Sequence, residues 1–173
     1  MYVLGSEEKA SFIVAYTSNG LIRGEIVTRE NVRLNTWFRT ESAPDYLHLY
    51  KVQWLQAVAG TIKPLAYNEL LLPVPLVIGF HVVPPSQEPL DYDAREDNRV
   101  NKSTTISMGL FVVNGNVRIS AKTDLVTNLQ ITHSPWISVY DAEVSSPHLP
   151  QMPPLHIPML LVRPTHVGFI LQN

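Results

Sequence analysis

One punctuation occurs twice along this 173-residue chain, and it constrains the fold more than any single residue does. Segments Ser11–Val52 and Ile106–Ala142 each contain an apolar run, an Asn-Gly pair, a second run with an Arg, a polar break, a third run, and an aromatic-rich fourth run. At a constant offset of 95 residues, Asn19, Gly20, Arg23, Thr28 and Leu34 fall on Asn114, Gly115, Arg118, Thr123 and Leu129. Duplication of this kind predicts two copies of one supersecondary unit.

The runs read as strands. Phe12–Tyr16, Leu21–Val27, Val32–Phe38, Tyr46–Gln56 and Leu71–Val83 precede Ile106–Val113, Val117–Ala121, Thr127–Ile131, Trp136–Ala142, Met159–Val162 and Val167–Leu171. Most are short and rich in Val, Ile, Leu and aromatic residues. Tyr46-Leu47-His48-Leu49-Tyr50 alternates strictly, as a half-buried strand does. Asn19-Gly20 and Asn114-Gly115 predict type I′ hairpin turns, which need positive φ at both central residues. No dozen residues carry a sustained helical period, although Ala57–Ala66 has room for one helical turn. The expected class is therefore all-β.

Between the halves lies Pro84–Ser103, whose Asp91, Asp93, Glu96 and Asp97 make it the most polar stretch of the chain. It reads as an acidic linker or loop. The expected organisation is a first barrel over 1–83, the linker over 84–103 and a second barrel over 104–173. Units this small bury a limited core alone, so they are expected to pack as a pseudo-dimer, or to merge into a single β-sandwich or barrel.

Composition narrows the function. A net charge of -2, from 13 basic and 15 acidic residues, provides no global attraction to nucleic acid or to an anionic membrane. There are no cysteines, so disulfides, thiolate catalysis and Cys-based metal sites are excluded. The start of the chain carries no basic segment followed by an apolar one. The longest apolar run, Leu70–Phe80, is about half of what a membrane span needs and contains Pro73 and Pro75. The expectation is a cytoplasmic protein without a membrane anchor.

Chemistry-bearing motifs are sparse. His148, His156 and His166 cluster in sequence but lack metal-ligand spacing, so no metal and no cofactor is expected, with a divalent-metal site at these three as the lesser alternative. Asp91 and Asp93 do not continue into a calcium loop, because Glu96 and Lys102 stand where its Gly and Glu belong. No nucleophile elbow and no phosphate-binding Gly-rich loop occurs, so catalytic residues are expected to be none and the chain not to be an enzyme.

About five short, strongly bent strands in some seventy residues, with a Gly past the midpoint of the second, resemble the Sm-like small β-barrel. Leu21-Ile22-Arg23-Gly24-Glu25-Ile26 followed by Val32-Arg33-Leu34-Asn35 is similar to uncharacterised bacterial Sm-like domains. Asp124-Leu125-Val126-Thr127-Asn128-Leu129 resembles the first motif of the family, in which an Asn contacts an RNA base and an Asp orients its loop. By that resemblance, Asp124 and Asn128 take those two places. The matching positions of the first half are Arg29 and Arg33, and the second-strand glycine, Gly24, is replaced near Ile119 in the second half.

Two function classes follow. The first is a non-enzymatic binding or scaffolding module acting through strand edges and the inter-barrel surface, with self-association or another protein as partner. The second is binding of single-stranded RNA or DNA through Arg29, Arg33, Arg118, Asp124 and Asn128, since small barrels bind single strands with basic and stacking side chains.

Overall fold

In the computed structural model the protein is predominantly β, and residues 2–40, 42–58, 61–93 and 95–171 are described. The chain divides into two compact units, Met1–Pro89 and Leu90–Asn173.

The first unit runs β1 (Glu8–Thr17), β2 (Gly20–Arg29), α1 (Leu34–Trp37), β3 (Tyr46–Val58), β4 (Thr61–Pro73), a 3₁₀ turn (Val74–Leu76) and β5 (Gly79–Val82). Its strands are all antiparallel and lie in the order β5-β1-β2-β3-β4. The second unit repeats the plan with β6 (Arg99–Met108), β7 (Phe111–Ser120), α2 (Leu125–Ile131), β8 (Ile137–Ser145), β9 (Leu155–Val162), a 3₁₀ turn (Pro164–His166) and β10 (Gly168–Ile170). Its order is β10-β6-β7-β8-β9, again antiparallel.

The duplication is present, but its register is not 95. β1 and β6 begin at Glu8 and Arg99, β2 and β7 at Gly20 and Phe111, the helices at Leu34 and Leu125, and β3 and β8 at Tyr46 and Ile137, a constant separation of 91. The two Asn-Gly pairs are therefore not counterparts. Thr17 pairs with Gly20 across the first hairpin, and its turn residues Ser18 and Asn19 do not have positive φ, so the turn is not type I′. The second hairpin turns at Gly109 (φ 59) and Leu110, and Asn114-Gly115 lies inside β7.

Gly115 is instead the counterpart of Gly24, so the second-strand glycine is retained and not replaced. Each sits in a register shift of the second strand, between Arg23 and Glu25 or between Asn114 and Asn116. A Cβ on Gly24 would lie 3.2 Å from the Tyr50 carbonyl oxygen, and one on Gly115 would lie 2.6 Å from Val139 Cγ1. The facing strands answer with Lys51 (φ 50) and Asp141 (φ 48), the non-glycine residues with positive φ among those described. Such a bulge bends the strand and moves its inward face by one residue. In β3, Leu47 and Leu49 point inward before the bulge and Val52 after it. In β8, Val139 points inward before it, and Ala142 and Val144 after it.

Two expected strands are helices. Val32–Phe38 contains the four-residue α1, and Thr127–Ile131 lies within α2. Each helix start is capped. The Glu88 carboxylate accepts hydrogen bonds from the backbone N–H groups of Leu34 (2.6 Å) and Asn35 (3.0 Å), and Asp124 accepts from the Thr127 N–H (2.7 Å). These bonds satisfy donors that a helix start leaves unpaired. The described residues of Ala57–Ala66 form no helical turn. Val58 pairs with Thr61 and Ala57 with Ile62 at the tip of the β3–β4 hairpin, and Ala59 and Gly60 lie outside the described residues. Leu71–Val83 is broken by the 3₁₀ turn at Pro75, because proline cannot continue the ladder.

Each unit has its own core. Ile13, Ala15, Ile22, Leu34, Leu47, Leu49, Val77 and Phe80 are fully buried in the first; Ile106, Met108, Val113, Ile119, Val139, Val144 and Leu160 are fully buried in the second. Burying one such aliphatic side chain contributes about 1.5–3 kcal/mol. The polar stretch read as a linker is tied down at several points. Glu88 caps α1, Ser86 Oγ accepts from the Phe12 N–H (3.0 Å), and Arg99–Ser103 belong to β6.

Candidate functional site

The residues singled out by sequence are divided between the two units. Arg29 closes β2 and Arg33 precedes α1; both are exposed and belong to the first unit. Arg118 lies in β7 of the second unit with a side chain only 12% exposed. Its guanidinium donates to the carbonyl oxygens of Asp93 (2.9 Å) and Glu96 (3.3 Å) and stacks 4.5 Å above the Tyr92 ring, so it fastens the segment before β6. Asp124 caps α2, and that backbone hydrogen bond from Thr127 holds its carboxyl below the usual range. Asn128 sits one helical turn later, where its carbonyl accepts from the Thr132 N–H. The four-residue spacing of Asp124 and Asn128 is thus the spacing of one α-helical turn.

The histidines are dispersed. His156 approaches Glu143 at 3.8 Å, His166 contacts Thr165 Oγ1 at 2.9 Å, and His148 is exposed in the loop after β8. Among the described residues no three His, Asp or Glu side chains converge as metal ligands. Trp136 is buried under Arg163, whose guanidinium stands 4.5 Å from the ring.

The most developed polar–aromatic surface lies on the outer face of the β3–β4 hairpin. Alternation directs Leu47 and Leu49 into the core and Tyr46, His48 and Tyr50 outward. The rings of His48 and Tyr2 both pack tilted against Tyr50, with centroids 4.4 Å and 5.0 Å away. The Tyr50 hydroxyl is 3.2 Å from His48 Nδ1, and His48 Nε2 is 3.1 Å from Glu69 on β4. Tyr2 donates to Glu8 (2.6 Å), and the Gly5 N–H donates to the same carboxylate oxygen (2.8 Å).

The Glu8 hydrogen bond raises the Tyr2 hydroxyl above its ordinary pKa, and the same bond lowers Glu8. Partial desolvation, followed by the Glu69 charge, raises Tyr50. All three shifts lead away from neutrality, so these groups keep one protonation state near pH 7.

β4 pairs with β3 alone among the described strands, so its other side is an edge. Two carbonyl positions show which groups face outward. Val74 N–H bonds to the Asp45 oxygen, which places Leu70 and Leu72 in hydrogen-bonded pairs with β3 and turns Glu69, Leu71 and Pro73 outward. At the far end Ala57 N–H bonds to the Asn19 oxygen on the β2 side, so the opposing Ile62, Pro64 and Ala66 face outward. The reversal between Ala66 and Glu69 lies opposite the positive-φ Lys51. Leu71 is 60% exposed and Tyr67 is 45% exposed along this strand.

The second unit carries a related face that is closed. Tyr92 packs edge-on against Tyr140 at 4.7 Å, whereas Tyr2 lies tilted on Tyr50. Asp91 accepts hydrogen bonds from Tyr140 and from Ser138 Oγ (2.7 Å). Sequence reasoning missed this cluster because it took Asp91 for a solvated loop charge. The signal was a second spacing, the 90 residues separating Tyr2 from Tyr92 and Tyr50 from Tyr140.

No family model, no curated protein and no solved structure matches this chain. No helix among the described residues is long and apolar enough to cross a membrane.

Proposed function

We propose that this protein is a non-enzymatic binding or scaffolding module that engages a partner protein through the β4 edge and the adjoining outer face of the β3–β4 hairpin. The observation that carries this reading is the unpaired side of β4, a 13-residue strand with Tyr67 exposed along it and the exposed Leu71 beside His48 of the Tyr46–His48–Tyr50 row. An open strand edge offers main-chain hydrogen bonds, and alternate side chains add selectivity. Two Sm-like barrels in tandem are the fold reading that accompanies it. It is supported by two units of the same five-strand plan, each with a second-strand glycine facing a bulge in the strand beside it.

The test is size-exclusion chromatography with light scattering and the 260/280 nm absorbance ratio of protein purified from cells. A nucleic-acid-free species supports the reading. Retained oligonucleotide that dissociates with rising salt overturns it in favour of single-stranded nucleic acid binding. Arg29→Ala combined with Arg33→Ala, and separately Asn128→Ala, would then locate the contact.

A further inference from the structure

We propose that the rings of Tyr2, His48 and Tyr50 in the first unit bind the guanidinium of an arginine presented by the partner protein. This rests on the reading of the β3–β4 outer face as part of the docking surface and adds the chemistry of the group that docks there.

The second unit shows how the chain itself completes such a pair of rings. There the Arg118 guanidinium stands 4.5 Å above the Tyr92 ring, and Tyr92 packs against Tyr140. A guanidinium suits this position because it is flat and weakly hydrated, and the face of a tyrosine ring is negative. Arg118 belongs to the outward set of β7, since the buried Val117 stands opposite Val139 and Asn116 opposite Tyr140.

The first unit repeats the rings without the cation. Tyr2 and Tyr50 stand 90 residues before Tyr92 and Tyr140, and at the strand separation of 91 the counterpart of Arg118 is Val27 of β2. Ile26 is buried opposite Leu49, and Glu25 lies opposite Tyr50. By alternation the half-buried Val27 takes the outward place of Arg118 and brings no charge.

Negative charge at these rings is left without a cation. Tyr2 and the Gly5 N–H both donate to one oxygen of Glu8, and His48 meets one oxygen of Glu69. Each carboxylate thus keeps a second oxygen without a protein partner among the described residues. Among those residues no lysine or arginine pairs with Glu8 or Glu69, and Lys51 is paired with Glu25 at 2.8 Å. After desolvation, the charges of Glu69 and Glu8 both raise the Tyr50 hydroxyl, which sets the rings in a negative field. A guanidinium arriving here meets an aromatic face and a carboxylate oxygen together, a combination that its planar fork fits better than a compact ammonium does.

The test uses the full chain and a blocked glycine peptide holding one arginine, followed by NMR through the ring-proton signals of Tyr2 and Tyr50. The peptide is expected to shift both sets. The same peptide with citrulline, similar in shape but uncharged, is expected to shift neither. Glu8→Gln combined with Glu69→Gln changes charge without changing size and is expected to weaken binding about fivefold. Val27→Arg gives the first unit its own cation and is expected to abolish the shifts with unchanged far-UV circular dichroism. Should that variant misfold, the double glutamine variant carries the test. Absence of any shift, equal shifts with citrulline, or undiminished binding in the double glutamine variant or in folded Val27→Arg overturns the inference. Those outcomes leave the β4 edge itself standing, whereas co-purifying nucleic acid that dissociates with rising salt removes the reading beneath it.

Discussion

A Cβ placed on Gly115 would fall 2.6 Å from Val139 Cγ1, closer than real side chains approach. The bulge of β8 opposite Gly115 thus brings the β7 backbone onto a side chain of β8 that is itself fully buried. The equivalent contact at Gly24 is looser, 3.2 Å from the Tyr50 oxygen and 3.3 Å from Leu49 Cβ.

Gly115→Ala is therefore expected to destabilise the second unit by about 2–3 kcal/mol, near the upper range for overpacking, and Gly24→Ala the first by about 1 kcal/mol. Urea unfolding of each variant measures the difference. Equal losses would contradict the distances.

Asp91 joins Ser138 and Tyr140, whose residues are 9% and 6% exposed. Asp91→Ala is expected to cost about 1–3 kcal/mol, because buried hydroxyls lose an anionic acceptor. In that background Tyr140→Phe should cost less than it does alone. A double-mutant cycle measures the coupling.

Glu88 caps α1 from 53 and 54 residues away in sequence. Glu88→Ala is expected to cost about 2 kcal/mol by removing two charge-assisted hydrogen bonds, and Glu88→Gln about half of that. Amide exchange at Leu34 and Asn35 should accelerate in the alanine variant well before global unfolding.

His81 is 5% exposed on β5, stacks on Tyr16 at 5.7 Å, and is pushed down from 6.5 to about 4 by desolvation. Its folded pKa lies below its unfolded one, so the fold favours the neutral ring. The contribution is intact above about pH 6.5, declines as pH falls towards 4 and is constant below that, a loss on the order of 3 kcal/mol. His81→Leu should flatten this part of the stability profile, measured as unfolding free energies at pH 7 and pH 4.5. An unchanged slope would place the dependence on other groups.

Much of the secondary structure was legible, since period-2 alternation is a local property. Tyr46 to Tyr50 showed both the strand and which side faces out. The two helices were not legible as helices. Asp124 followed by Thr127 is a capping arrangement readable in sequence, but α1 depends on Glu88, which has no local signature. The nucleic-acid candidates shared a resemblance in sequence but not an environment: Arg118 is drawn inward by Tyr92 and the Asp93 carbonyl, whereas Arg29 and Arg33 stay in solvent.

The repeat shows the boundary most clearly. Sequence by itself determined an all-β chain built twice on one plan, because apolar runs, prolines and polar breaks act within a few residues of themselves. Only the tertiary structure decided that the copies align at 91 residues and not 95. A glycine has the same letter whether it opens a strand, as Gly20 does, or yields space at a bulge, as Gly115 does. Its role is set by what the folded chain brings against it, here Val139, and likewise the Asp91 carboxylate acquires Ser138 and Tyr140 only once distant strands have paired.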